Sequence, residues 1–170
     1  MRVNNQAIQE INDCQPDGLA ADILDSSRPI ILRGIAKQWP VVEAAKKSTE
    51  QVLDYLCQFN TDEPLIVFRG DPKDDGRVFY NSELTGFNFD VESMPLSQLV
   101  TQLKENLDQP DSAMLYVGST MIDKWLPGFR DQNDILIEKY QSLASIWMGN
   151  KSRIAAHYDF ASNIACCVAG

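Results

Sequence analysis

Residues 146–170 read IWMGNKSRIAAHYDFASNIACCVAG, and His157 within them is the only histidine of the 170-residue chain. The β-branched and alternating residues around it predict an extended strand, on which successive side chains face opposite ways. His157 and Asp159 then share one face, and Tyr158 points to the other. An imidazole beside a carboxylate supplies half of a metal site. The facial triad of two histidines and one carboxylate that holds non-haem Fe(II), with three positions left open, needs one more histidine. This chain has none to give. The plainer reading of the same triplet is a hydrogen-bonded histidine with no ligand role. Gly149-Asn150 signals a turn before the strand, and 164–170, IACCVAG, reads as a further strand.

The pattern Gly149-Asn150, Ser152, His157-Tyr158-Asp159, then Asn163 four residues after the aspartate and an apolar run ending at Gly170, carries a resemblance. It is similar to the first metal-binding strand pair of the JmjC and cupin-like oxygenases. These Fe(II)- and 2-oxoglutarate-dependent hydroxylases are typified by the asparaginyl hydroxylase that inhibits hypoxia-inducible factor. Residues 28–40, RPIILRGIAKQWP, resemble the entry strand of the same family. The resemblance implies His157 and Asp159 as metal ligands, Fe(II) and 2-oxoglutarate as cofactors, and Tyr116 and Asn163 as contacts to the co-substrate. An ordinary strand tyrosine is the other reading of Tyr116. Ile154 stands where the family often has a threonine. The family's co-substrate lysine and second histidine would fall beyond Gly170, so the expectation is an N-terminal part of such an oxygenase, cut short and inactive as it stands.

Composition bounds the alternatives. A hydrophobic content of 44% with 23% charged residues suits a soluble globular domain, and a net charge of −9 argues against nucleic-acid backbones as partners. No apolar run reaches the ~20 residues of a membrane helix, and residues 1–14 lack the apolar core of a secretory signal. A cytoplasmic location is expected. Cys14, Cys57, Cys166 and Cys167 show no C-x-x-C spacing and read as buried reduced thiols. The adjacent pair should face opposite sides.

In chain order, Ile8, Ile11, Leu19, Ile23 and Leu24 give a loose helical period around Pro16, and 29–33 a strand. The Trp39-Pro40 pair biases the tryptophan towards an extended backbone. Ser48 and Gln51 fit a capping box ahead of Val52, Leu53, Leu56 and Phe59. Residues 64–68 and 77–80 predict two strands of an antiparallel hairpin with a long tip. A helix with Pro95 in its first turn carries Leu96, Leu99, Val100, Leu103 and Leu107 on one face. Residues 113–117 read as a strand holding Tyr116, and Trp125 to Phe129 as a loop that borders a site entrance or covers the end of a sheet.

One domain over 1–170 is the simplest count, with helices and strands over 1–143 and the first metal-binding strands over 144–170. The expected class is mainly β with α decoration, an incomplete double-stranded β-helix, or jelly roll, preceded by an N-terminal α/β region. Its open apolar edge is expected to allow homo-oligomers. Three functions compete. They are an oxygenase acting on a protein or small-molecule substrate, a non-catalytic cupin-like binding or assembly module, and a hydrolase with His157 as base and Asp159 as its orienter. The acidic surface favours a basic peptide or protein as substrate.

Overall fold

The computed structural model describes residues 7–17, 19–137, 140, 142–157 and 159–170. Where a loose helix was expected, the chain opens with strand β1 (Gln9–Ile11), and only the short α1 (Ala21–Leu24) is helical. Pro16 lies between them, and its missing N–H and restraint on the preceding residue interrupt a helix. β1 runs parallel to β2 (Ile30–Leu32), the entry strand read from the sequence. A small cluster of Cys14, Ile35 and Ile135 forms beside this pair.

Trp39 is extended, at φ −67° and ψ 135°, and Pro40 opens α2 (Pro40–Ala45), where a fixed φ and an absent donor cost nothing. Ser48 caps α3 (Thr49–Cys57) by accepting the Gln51 N–H at 3.1 Å. Val52, Leu53 and Leu56 on that helix are buried, as the period predicts.

The expected hairpin does not form. β3 (Leu65–Gly70) does follow Pro64, but β4 (Arg77–Val78) turns away from it. β3 instead pairs along its whole length with β5 (Phe89–Met94), from Leu65 opposite Met94 to Gly70 opposite Phe89. Asn88 explains the difference. Its Oδ1 accepts the Phe79 N–H at 2.9 Å and its Nδ2 donates to the Arg77 carbonyl at 2.8 Å, so a side chain satisfies backbone groups that a hairpin partner would have taken.

Helix α4 (Leu96–Glu105) buries Leu96, Leu99, Val100 and Leu103, while Leu107 lies past its end and is exposed. After it, β6 (Met114–Met121) leads into α5 (Ile122–Trp125), and Leu126 and Phe129 in the following loop are buried. That loop packs inward, with Phe129 edge-on to Phe59 at 5.6 Å between ring centres. β7 (Ser145–Gly149) completes a four-stranded antiparallel sheet of order β5-β3-β6-β7. Paired residues point to the same side. One face, with Leu65, Val67, Met94, Leu115 and Val117, packs on α2, α3 and α4 to make the main core.

Strand and helix contents are about equal, so the chain is more helical than the expected mainly-β class. Part of the shortfall lies after β8 (Arg153–Ile154). The described residues from 155 to 170, read from sequence as strands, form none. Extended propensity alone does not make a strand, because its N–H and C=O groups need a ladder partner. The alternation at the cysteines nevertheless holds. Cys166 packs into the small cluster, Cys167 is exposed, and Val168 touches the main core. All four cysteines are free, but only Cys14 is fully buried. Among the described residues no helix is long and apolar enough to cross a membrane.

Candidate metal centre

Two glycines set the path into the His-x-Asp triplet. At Gly149 a Cβ would stand 2.5 Å from the Leu115 carbonyl oxygen, so β7 can cross β6 this closely only with glycine there. Asn150 fastens the crossing, accepting the Leu115 N–H at 2.9 Å and donating to the Ala113 carbonyl at 2.9 Å. Gly76 has φ +72°, and a Cβ on it would lie 1.8 Å from the Lys151 carbonyl oxygen. Its own carbonyl accepts the Arg153 N–H at 2.7 Å. From there β4 runs parallel to β8, with Arg77 opposite Arg153 and Val78 opposite Ile154. The Gly-Asn of the motif is therefore a structural fastening that aims the segment carrying His157.

His157, Asp159 and Asn163 come together. Nδ1 of His157 lies 2.8 Å from the Ala155 carbonyl oxygen, and Nε2 lies 3.7 Å from Oδ1 of Asp159. A carbonyl can only accept, so Nδ1 carries the proton in this bond, and in the neutral ring that tautomer leaves the lone pair on Nε2. Asn163 donates from Nδ2 to the other Asp159 oxygen, Oδ2, at 2.9 Å. Each ligand candidate thus has its rear atom held and its front atom available, the usual arrangement behind metal-bound histidines and carboxylates. Two donors bound side by side at about 2.1 Å stand roughly 3 Å apart, and small side-chain rotations bring 3.7 Å to that value. The donors fit one half of a non-haem iron site. Both side chains are more than half exposed, so the pair lies open to solvent. Among the described residues no three His, Cys, Asp or Glu side chains group to hold an ion. Burial, with Asp134 adding to it, pushes the Cys166 thiol up, which keeps it protonated and a poor ligand at neutral pH. Tyr158 lies outside the described residues.

Asn163 therefore sits on the carboxylate of Asp159. Tyr116 lies on the sheet face opposite the helices, buried with its ring 6.0 Å from that of Phe68 and 6.2 Å from that of Trp147. Burial pushes its phenol up, so it is a hydrogen-bond donor at neutral pH. The row of rings continues from Phe68 to Phe89 at 4.7 Å, Phe87 at 4.9 Å and Tyr80 at 5.4 Å. This aromatic band emerges only with the fold. Its signal was there in FYNSELTGFNF, residues 79–89, where asparagines at 81 and 88 alternate with rings. Asn81 accepts the Thr85 N–H at 3.0 Å, and its own N–H reaches the Gly86 carbonyl at 2.9 Å, which fixes the tip of this loop.

The hydrolase reading loses its geometry. A relay needs the carboxylate behind Nδ1 and the reacting group at Nε2, whereas here the Ala155 carbonyl holds Nδ1 and Asp159 faces Nε2. Comparison with protein families matches residues 16–170 to the model described as a cupin-like domain. No curated protein matches the chain.

Proposed function

We propose, since the chain belongs to the cupin-like domain family, that it carries the His-x-Asp half of an Fe(II) centre in a 2-oxoglutarate-dependent oxygenase. In this reading it is similar in class to asparaginyl hydroxylases, and its sheet is part of a double-stranded β-helix. The observation that supports it is the paired rear-side fastening: Ala155 on His157 and Asn163 on Asp159 leave Nε2 and Oδ1 turned to each other. The ion, when bound, supplies the coupling of O₂ reduction and 2-oxoglutarate decarboxylation to oxidation of a C–H bond. The chain's own part is to fix two adjacent donor atoms, and to present Tyr116 as a protonated donor for a co-substrate carboxylate.

With two donors from this chain the affinity for a divalent ion is weak, and 2-oxoglutarate strengthens it by adding its own oxygens. Titration of Mn(II) followed by electron paramagnetic resonance should show saturable binding that tightens when 2-oxoglutarate is added. Asp159→Ala and His157→Ala should each weaken it at least tenfold, and Asn163→Ala by about ten- to a hundredfold, as outer-shell partners do. Binding that is unchanged in Asp159→Ala refutes the assignment. The non-catalytic binding module is the second reading, favoured by the exposure of both side chains and by the absence of a three-ligand group among the described residues.

A further inference from the structure

The short parallel ladder of β4 and β8 places Arg77 directly opposite Arg153. Neighbouring strands lie about 4.8 Å apart, and register partners in a ladder project to the same side. Both arginine side chains therefore leave the ladder on one face, and both line the same cleft. Like charges so placed repel, and the rest of the protein, at a net charge of −9, offers acids in plenty that could have stood at either position. Between them opens a cleft of about 190 Å³ lined by Arg77, Val78, Phe79, Arg153, Ile154 and Ala155. Among the described residues no acidic side chain lines it. Among the described residues Asp75 is the carboxylate that reaches a clamp member, pairing with Arg153 from an exposed position. Arg77 lies over the Phe79 ring, 5.5 Å from its centre, so one wall is both cationic and aromatic. The cleft ends at Ala155, whose carbonyl holds His157.

We infer that Arg77 and Arg153 form a clamp for an anionic group, a carboxylate or a phosphate, on the molecule that the neighbouring centre acts on. This rests on the proposed oxygenase reading. Planar guanidinium forks suit oxyanions, binding them through parallel N–H donors. The cleft is smaller than the ~300–1,000 Å³ that whole drug-sized ligands occupy, so it takes one group of a substrate, with apolar atoms against Phe79, Val78 and Ile154. The substrate class is then an organic acid or phosphate ester with an apolar body next to the charge. That differs from the basic partner suggested by net charge alone. A local pair of arginines decides recognition where the overall field does not.

The test is a nuclear magnetic resonance titration of the arginine Nε–H signals of the 170-residue chain, without metal, using inorganic phosphate, acetate and 2-oxoglutarate separately. Phosphate and acetate should shift Arg77 and Arg153 together and saturably, with affinity on the order of 1 mM for a single exposed anion clamp. Arg77→Gln and Arg153→Gln should each weaken phosphate at least fivefold. Asp75→Asn removes the competing carboxylate and should tighten it, by up to about fivefold for an exposed pair. All three side chains are exposed, so none of these variants threatens folding. Absence of shifts at both arginines, or a phosphate affinity read at the remaining arginine that is unchanged in both single variants, overturns the clamp. Displacement of phosphate one for one by 2-oxoglutarate, with 2-oxoglutarate the much tighter ligand, overturns its assignment to the substrate. Failure of the metal reading is separate, because it shows as missing Mn(II) binding while the anion titration, which contains no metal, still succeeds.

Discussion

Gly149→Ala should lower the stability of the protein by about 3 kcal/mol or more, at the top of the usual ~0.5–3 kcal/mol for single substitutions. The added methyl would sit 2.5 Å from the Leu115 carbonyl oxygen and 3.4 Å from the Cα of Tyr116. Both are backbone atoms of β6, a strand buried at Met114, Leu115, Tyr116 and Val117, so neither can swing aside as a side chain would. The strand β7 must then move off β6, breaking the pairing of Tyr116 with Gly149 and the Asn150 bonds to Leu115 and Ala113. Urea unfolding measures the loss. Gly86→Ala is the control, because a Cβ there meets only Asn81 at 3.6 Å, an ordinary contact. A Gly149→Ala variant within about 1 kcal/mol of the parent, below typical clash costs, would mean that β6 and β7 approach each other less closely than described.

Asn133→Ala should cost a comparable ~3–5 kcal/mol, because it strands several polar groups at once and each buried orphan costs about 1–3 kcal/mol. Asn133 is 3% exposed. Its Oδ1 accepts the N–H of Val41 at 3.0 Å, and its Nδ2 donates to the Tyr55 hydroxyl at 2.9 Å and the Phe129 carbonyl at 2.8 Å. One amide therefore ties the first turn of α2, the side of α3 and the loop after α5. Val41 is 1% exposed, so water cannot replace the lost acceptor without opening the core. Asn133→Asp keeps the acceptor for Val41 but turns a donor towards Phe129 into a second acceptor, and should be destabilising as well. The m-value should stay constant, since the variant exposes the same surface on unfolding. A cost under about 1 kcal/mol, that of a single net hydrogen bond, would show that the three elements hold their places without it.

What the sequence made legible, and what it hid, divides by the range of the interaction. The Ser48 cap, the buried stripe of α4 and the extended Trp39 before Pro40 depend on neighbours within a few residues, and all appear where local patterning puts them. Strand pairing depends on distant competitors. Residues 77–80 carry the signal of a hairpin partner, yet Asn88 takes backbone groups of Arg77 and Phe79, and β5 takes β3. The candidate site was half legible. His157 and Asp159 do lie beside each other, though on irregular chain where a strand was expected. The facing arginines at 77 and 153 stand 76 positions apart in sequence, and only the fold brings them opposite. Asn150 and Gly149 were visible as motif letters. Their physical task, allowing and fastening a close strand crossing, was not.

The presence of one histidine in the chain makes the central claim accessible to a single spectrum. A long-range proton–nitrogen correlation of the His157 imidazole reports which nitrogen carries the proton. Bonding of Nδ1 to the Ala155 carbonyl predicts a protonated Nδ1 and a bare Nε2, and adding Co(II) should then shift or broaden Nε2 first, with the effect abolished in Asp159→Ala. A proton on Nε2 together with a spectrum indifferent to Co(II) would contradict the account, because His157 would then offer no lone pair beside Asp159 and the pair could not begin a metal centre.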